Sequence, residues 1–195
     1  MLILCLKPVV GRELALGKLS PTGPSGIIRR WISGELLGLS AIYIPYRLYK
    51  VSIDDRNVRT TRFMAVDAIS GNLDPFEFVA PPAPDDCIHM ETPNYFPARL
   101  SEAETHASAR EKVRRLLFSA GFFRLAKPVI SSELIQAEFY FPYWAGFYGE
   151  EENVQILMLD AVRGTIEGGK ASTSIRLCLL EDSHPGLPAA QRQPH

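Results

Sequence analysis

No window of this 195-residue chain approaches the roughly 18 uninterrupted apolar residues that a membrane-crossing helix requires. An excess of one charge is missing too, because 21 Lys and Arg stand against 22 Asp and Glu, a net charge of -1. That balance excludes a global attraction to nucleic acid or anionic lipid and leaves room only for a local basic patch. The three cysteines, Cys5, Cys87 and Cys178, are odd in number and far apart. They make neither a disulfide framework nor the paired Cys-x-x-Cys ligands of a zinc site. The opening "MLILCLKPVVGREL" has an apolar run of only about six residues, with no basic lead-in and no small-residue cleavage site. These absences predict a protein of the reducing cytoplasm, without a membrane partner.

Recognisable catalytic motifs are missing as well. There is no nucleophile with an adjacent base and no metalloprotease helix. "IEGGKAST", with Gly168, Gly169, Lys170 and Ser172, lacks the spacing of a phosphate-binding loop. Asp85, Asp86, Cys87, His89 and Glu91 place five potential metal ligands within seven residues, but in no spacing that fits a known site. The expectation is no cofactor and no metal. His106, beside small alanines on a predicted helix, reads as a structural histidine.

What the chain does contain is a repeated pattern. "AIYIPYRLYKV" starts at Ala41 and "AEFYFPYWAGFY" at Ala137, so Tyr43, Pro45 and Tyr46 match Tyr140, Pro142 and Tyr143 at an offset of 97. Further on, "VDAISG" (66–71) matches "LDAVRG" (159–164) at an offset of 93. The four-residue difference falls in polar, turn-like stretches, where duplicated units tolerate length changes. Each copy reads as strand, turn, strand, with both strand faces largely apolar, as in strands covered on both sides. Proline donates no ladder hydrogen bond, so Pro45 and Pro142 are predicted at a sheet edge, a strand start or a bulge.

"SEAETHASAREKVRRLLFSAG" is a predicted helix opened by Ser101 and Glu104 in capping-box spacing and closed by Gly121. Its apolar stripe is Ala109, Val113, Leu116, Leu117 and Ala120. A shorter helix is predicted in "SGIIRRWIS" before the first Tyr-x-Pro-Tyr strand, and "MLILCL" and "TSIRLCLL" read as further strands. The predicted fold is α+β, with two tandem repeats, each a helix packed on an antiparallel β-sheet and open to a pseudo-two-fold arrangement. Residues 1–80 form the first repeat, 81–100 a proline-rich connector, 101–181 the second repeat and 182–195 a flexible tail.

A helix followed by an aromatic strand, a turn and a strand ending in "VDAISG" or "LDAVRG" resembles the PepSY-like repeat, over roughly Ser25 to Phe78 and Ser101 to Glu167. The resemblance implies a helix on an antiparallel sheet, and a binding or regulatory module without catalytic residues of its own. PepSY-like modules are usually extracytoplasmic, which departs from the absence of an export signal, and Tyr-x-Pro-Tyr is not a signature of that family.

Three constellations remain as candidate sites. Asp67 and Asp160 invite comparison with a shared-proton carboxylate pair, but turn capping, with Gly71 and Gly164 at positive φ, explains the same residues. Tyr43, Tyr46 and Arg47, with Tyr140, Tyr143 and Trp144, suit the floor of a ligand groove or equally the core of a sheet. One hairpin tip carries Arg56, Arg59 and Arg62, the other Glu150, Glu151 and Glu152, a contrast suited to docking a protein partner or a second copy. The leading function is a non-catalytic binding or assembly module acting through an aromatic sheet face or charged hairpin tips. The alternatives are a small-molecule or metal-dependent enzyme with its site at the junction of the repeats, and a structural subunit of a larger complex.

Overall fold

The computed structural model describes residues 1–20, 34–55, 58–71, 73, 75–119, 129–149, 154–169, 175, 178 and 179. In chain order the elements are β1 (Leu2–Leu6), α1 (Arg12–Leu19), β2 (Leu36–Asp55), β3 (Val58–Asp67), β4 (Phe76–Phe78), β5 (Cys87–Glu91), α2 (Glu102–Ser119), β6 (Val129–Tyr148) and β7 (Gln155–Asp160). They build an α+β structure in which seven strands form one curled sheet. Its order is β4-β3-β2-β6-β1-β5, with β7 also on β6. The sheet is mixed because β1 runs parallel to β6, bridging at Cys5 and Tyr140.

The axis of the sheet is the antiparallel pair β2 and β6, each 20 residues long. Strands of that length span about 65 Å if straight, so twist must accumulate along them. Register shifts between Leu36 and Gly38 and on both sides of Leu48 add local bends. Apolar residues on both faces are then needed, as the sequence pattern predicts. Ile42, Ile44, Tyr46 and Leu48 pack on one face with Phe139, Phe141, Phe96 and Leu73. On the opposite face Tyr49, Val51, Ile53, Met64 and Val66 meet Ala109 and Val113 of α2. Ala15 and Leu19 of α1 cover Tyr148 and Leu159 further along.

The prolines depart from expectation. Pro45 and Pro142 lie well inside the two central strands, not at a sheet edge or strand start, and the motifs face each other, Tyr43 opposite Pro142 and Pro45 opposite Tyr140. The reason lies in backbone direction. Pro45 accepts from the Ala68 amide and Pro142 from the Ala161 amide, so both turn their backbone groups away from the β2–β6 ladder. The missing N–H therefore falls where each outer neighbour changes. On β2, β3 gives way to residues 94–96, where Tyr43 bonds to Asn94 and Phe96; on β6, β7 gives way to β1. No inner ladder bond is lost.

Other expectations are revised. The proline-rich connector supplies the edge strand β5 after a short turn at Pro84–Asp86, and buries Phe96. Within "TSIRLCLL", Ile175, Cys178 and Leu179 are helical rather than extended. The predicted helix "SGIIRRWIS", Gly121 and residues 182–195 lie outside the described residues. No clean apolar stripe marks helix α1 in the sequence: Ala15 and Leu19 are buried while Leu14 and Leu16 are exposed. Among the described residues no helix is long and apolar enough to cross a membrane.

Helix α2 starts as its sequence predicts. The Glu104 amide donates to Ser101 Oγ at 3.3 Å, and the Ser101 amide and hydroxyl each donate to Glu104 Oε2 at 2.7 Å. Those bonds lower the Glu104 pKa. A carboxylate whose pKa is depressed on folding adds stability above its unfolded pKa and loses it as pH falls through the folded one. In urea titrations, Ser101→Ala is therefore expected to lower the unfolding midpoint at neutral pH. The gap to the wild type should narrow without vanishing as pH falls below the usual Glu range, because the Glu104 amide's bond to Ser101 Oγ does not titrate; a gap independent of pH would contradict the role of the Glu104 carboxylate in the cap.

Candidate functional site

The two Tyr-x-Pro-Tyr segments place their second tyrosines against each other. Tyr46 and Tyr143 hydroxyls lie 2.8 Å apart in the buried core, with the Tyr46 ring 4.1 Å from that of Phe141. Burial pushes both hydroxyl pKa values up. For Tyr46 the neighbouring Tyr143 and then Asp67 add to the effect, and for Tyr143 the charge of Asp160 does. Both phenols are thus held neutral, and neither acts as an accessible acid or base.

Asp67 and Asp160 flank this pair at the ends of β3 and β7, opposite Tyr46 and Tyr143 respectively. Asp67 lies outside β2 and Asp160 outside β6, so both central strands separate them, three strand spacings or roughly 14 Å measured across the sheet alone. A shared-proton dyad needs oxygens in contact. Each carboxylate instead ties down its own turn. Asp67 Oδ1 accepts from the amides of Ile69, Ser70 and Gly71 at 3.2, 2.8 and 3.0 Å, and Oδ2 from Leu73 at 3.0 Å. Asp160 Oδ1 accepts from Val162 and Arg163 at 2.7 and 2.8 Å, and Oδ2 from Arg163 Nε at 2.6 Å. Gly71 and Gly164 close the turns at φ of 66° and 72°. Burial works to lower the Arg163 pKa, and Asp160 more than offsets it, so the guanidinium stays charged.

The remaining aromatic-face residues are also engaged internally. Tyr43 and Tyr140 are buried. The Tyr140 hydroxyl donates to Glu138 at 2.7 Å. Arg47 Nη1 donates to the Leu100 carbonyl at 2.7 Å and to Thr105 Oγ1 at 3.1 Å, just where α2 begins. Trp144 Nε1 donates to the Val10 carbonyl at 2.8 Å, just before α1. Both positions thus anchor a helix start to the sheet.

Of the charged tips, Arg59 pairs with Asp54 at 3.6 Å and Arg62 with Glu77 at 2.6 Å. Arg56, Glu150, Glu151 and Glu152 lie outside the described residues. In the former connector, Asp86 accepts the Ala83 amide at 2.8 Å, while Cys87, His89 and Glu91 belong to β5. Among the described residues no three His, Cys, Asp or Glu side chains converge as a metal-binding group. Burial pushes the Cys5 thiol up to about 12, which leaves it unreactive.

One pairing escaped the sequence reading. His106 on α2 and Ser132 on β6, 26 residues apart, bring Nε2 to 2.9 Å from Ser132 Oγ, the contact expected of a nucleophile and its base. The same nitrogen is 2.9 Å from the Ser132 carbonyl. A carbonyl only accepts, so Nε2 carries the proton and has no lone pair with which to deprotonate the serine. The contact fastens α2 to β6.

The tyrosine pair lends itself to a double-mutant cycle. Tyr46→Phe or Tyr143→Phe leaves the other hydroxyl buried without its partner, at a cost of about 1–3 kcal/mol. The double substitution is expected to cost clearly less than the sum in urea unfolding, and strict additivity would deny the coupling. Neither a protein-family model, nor a curated protein sequence, nor a solved structure matches this chain.

Proposed function

We propose that this protein is a non-catalytic binding or assembly module, built from one structural unit used twice about a pseudo-two-fold axis through the β2–β6 pair. Paired local details support the duplication. Ala68 and Ala161 donate to the two prolines, and the Ala68 carbonyl accepts from Arg99 and Leu100 as that of Ala161 does from Val9 and Val10. Arg47 and Trp144 then grip the carbonyls of Leu100 and Val10. A PepSY-like relationship for each unit belongs to the same proposal and carries the same implication of binding without catalysis.

The observation that supports the functional reading best is the saturation of the junction. The two tyrosines, the two aspartates, Arg47, Trp144 and Arg163 each hold an internal partner, so none of these described side chains is poised to meet a substrate. The aromatic face is spent on the core and the described arginines Arg59 and Arg62 are ion-paired, and among the exposed apolar side chains those on the outer part of β6 lie along an open strand edge, where we place the partner. Val129 and Ile135 are 66% and 42% exposed there.

Photo-crosslinking amino acids at Val129 and Ile135 are expected to capture a discrete protein species in cells, whereas one at Val79, exposed just past the end of β4, should not. Turnover of ester, amide or phosphoester probes by the wild type, abolished by Ser132→Ala, would refute the non-catalytic reading. Failure of both β6 positions to capture any protein would refute the binding reading.

A further inference from the structure

The outer edge of β6 from Val129 to Glu138 is the longest strand edge left open among the described residues. On its inner side these residues pair with β2, from Asp54 opposite Val129 to Leu48 opposite Gln136; outward, strand neighbours begin only at Tyr140. The hydrogen-bond pattern fixes which backbone groups face out. Because the Ala68 amide donates to Pro45, the odd-numbered residues of β2 direct their backbone groups at β3 and the even-numbered ones at β6. Lys50, Ser52 and Asp54 therefore bond with Glu133, Ser131 and Val129, and Ile130, Ser132 and Leu134 turn their N–H and C=O groups outward. The Ser132 carbonyl fits this assignment, since it accepts from His106 on α2.

Open edges are usually blunted by proline, charge, bulges or brevity, and here the register shifts opposite Leu48 fall beyond Leu134, leaving 129–134 regular. "VISSELIQAE" has no proline and no lysine, and presents Val129 and Ile135 to solvent. It is also complementary to itself. With Ser132 on a two-fold axis, Ile130 faces Leu134, Val129 faces Ile135 and Ser131 faces Glu133, each pair occurring twice, while the outward backbone groups of 130, 132 and 134 meet their counterparts. Moving the axis to Glu133 sets the two Glu133 carboxylates against each other, and moving it to Ser131 sets Val129 against Glu133. Both alternatives are disfavoured.

We infer that a second copy of this chain docks on this edge by antiparallel strand pairing centred on Ser132, extending the sheet across a two-fold axis. The inference rests on the binding and assembly reading and names its partner. His106 already bonds the central acceptor of the free edge, the Ser132 carbonyl, so the histidine acts as a weak internal competitor of the second copy for that oxygen.

Sedimentation of the full-length protein from micromolar to millimolar concentration tests this. The wild type is expected to dimerise reversibly. Ser132→Pro, which removes an outward N–H without taking a bond from the β2–β6 ladder, should leave a folded monomer by circular dichroism. Ile135→Lys, on an exposed side chain that serves no core, should weaken the dimer by about tenfold through its two symmetric pairs. His106→Ala should tighten it, a gain that a merely structural histidine would not give. A wild type that stays monomeric throughout, or an Ile135→Lys dimer as tight as the wild type, would overturn the inference. Capture of a different protein from Val129 or Ile135 by a wild type that is monomeric would overturn the second copy as partner while leaving the binding reading in place.

Discussion

The antiparallel register that sets Tyr43 against Pro142 and Pro45 against Tyr140 is the constraint on which the rest of the molecule depends. Two 20-residue strands can stay paired over such a length only if they twist and bend, and that curl creates an inner face for Tyr46, Phe141 and Leu73 and outer faces for the two helices. The prolines allow one strand to serve two neighbours in succession. Each stands where an outer partner ends and another begins, so an absent amide hydrogen falls on a gap in the sheet rather than on a ladder bond. The aromatic residues on either side of each proline then close the core.

Polar groups inside the sheet follow the same logic. Burying a hydroxyl or a carboxylate without a partner is costly, and here each has one supplied by the junction itself. The tyrosine hydroxyls satisfy each other, and the aspartates organise the turns that carry the chain off β3 and β7. Groups that resemble a catalytic inventory in the sequence are thereby committed to holding the fold. The same holds for His106 and Ser132, whose proton is pinned by a carbonyl. Among the described residues, the longest run of backbone without a strand partner lies along the outer edge of β6.

Much of the local structure was legible in the sequence. The cap at Ser101 and the stripe through Ala109 and Val113 gave α2, and alternation of apolar residues on both faces gave covered strands. The capping role of Asp67 and Asp160 followed from their spacing to Gly71 and Gly164. The partnership of the two Tyr-x-Pro-Tyr segments was not legible, because a repeat says that two parts are alike and not that they touch. The position of the prolines was misjudged because the rule against proline in a central strand concerns the direction of its nitrogen, which a sequence does not reveal. Helix α1 and the pairing of His106 with Ser132 were hidden for related reasons: one helix has too little apolar periodicity, and the other contact joins separate elements.

The register itself is open to direct observation by nuclear magnetic resonance. In antiparallel pairs whose backbone groups point away from each other, the facing α-hydrogens approach closely. This register predicts strong α-hydrogen to α-hydrogen Overhauser effects between Tyr43 and Pro142 and between Pro45 and Tyr140. A spectrum in which those contacts are absent, or in which either proline contacts a residue one or more places along the facing strand, would contradict it.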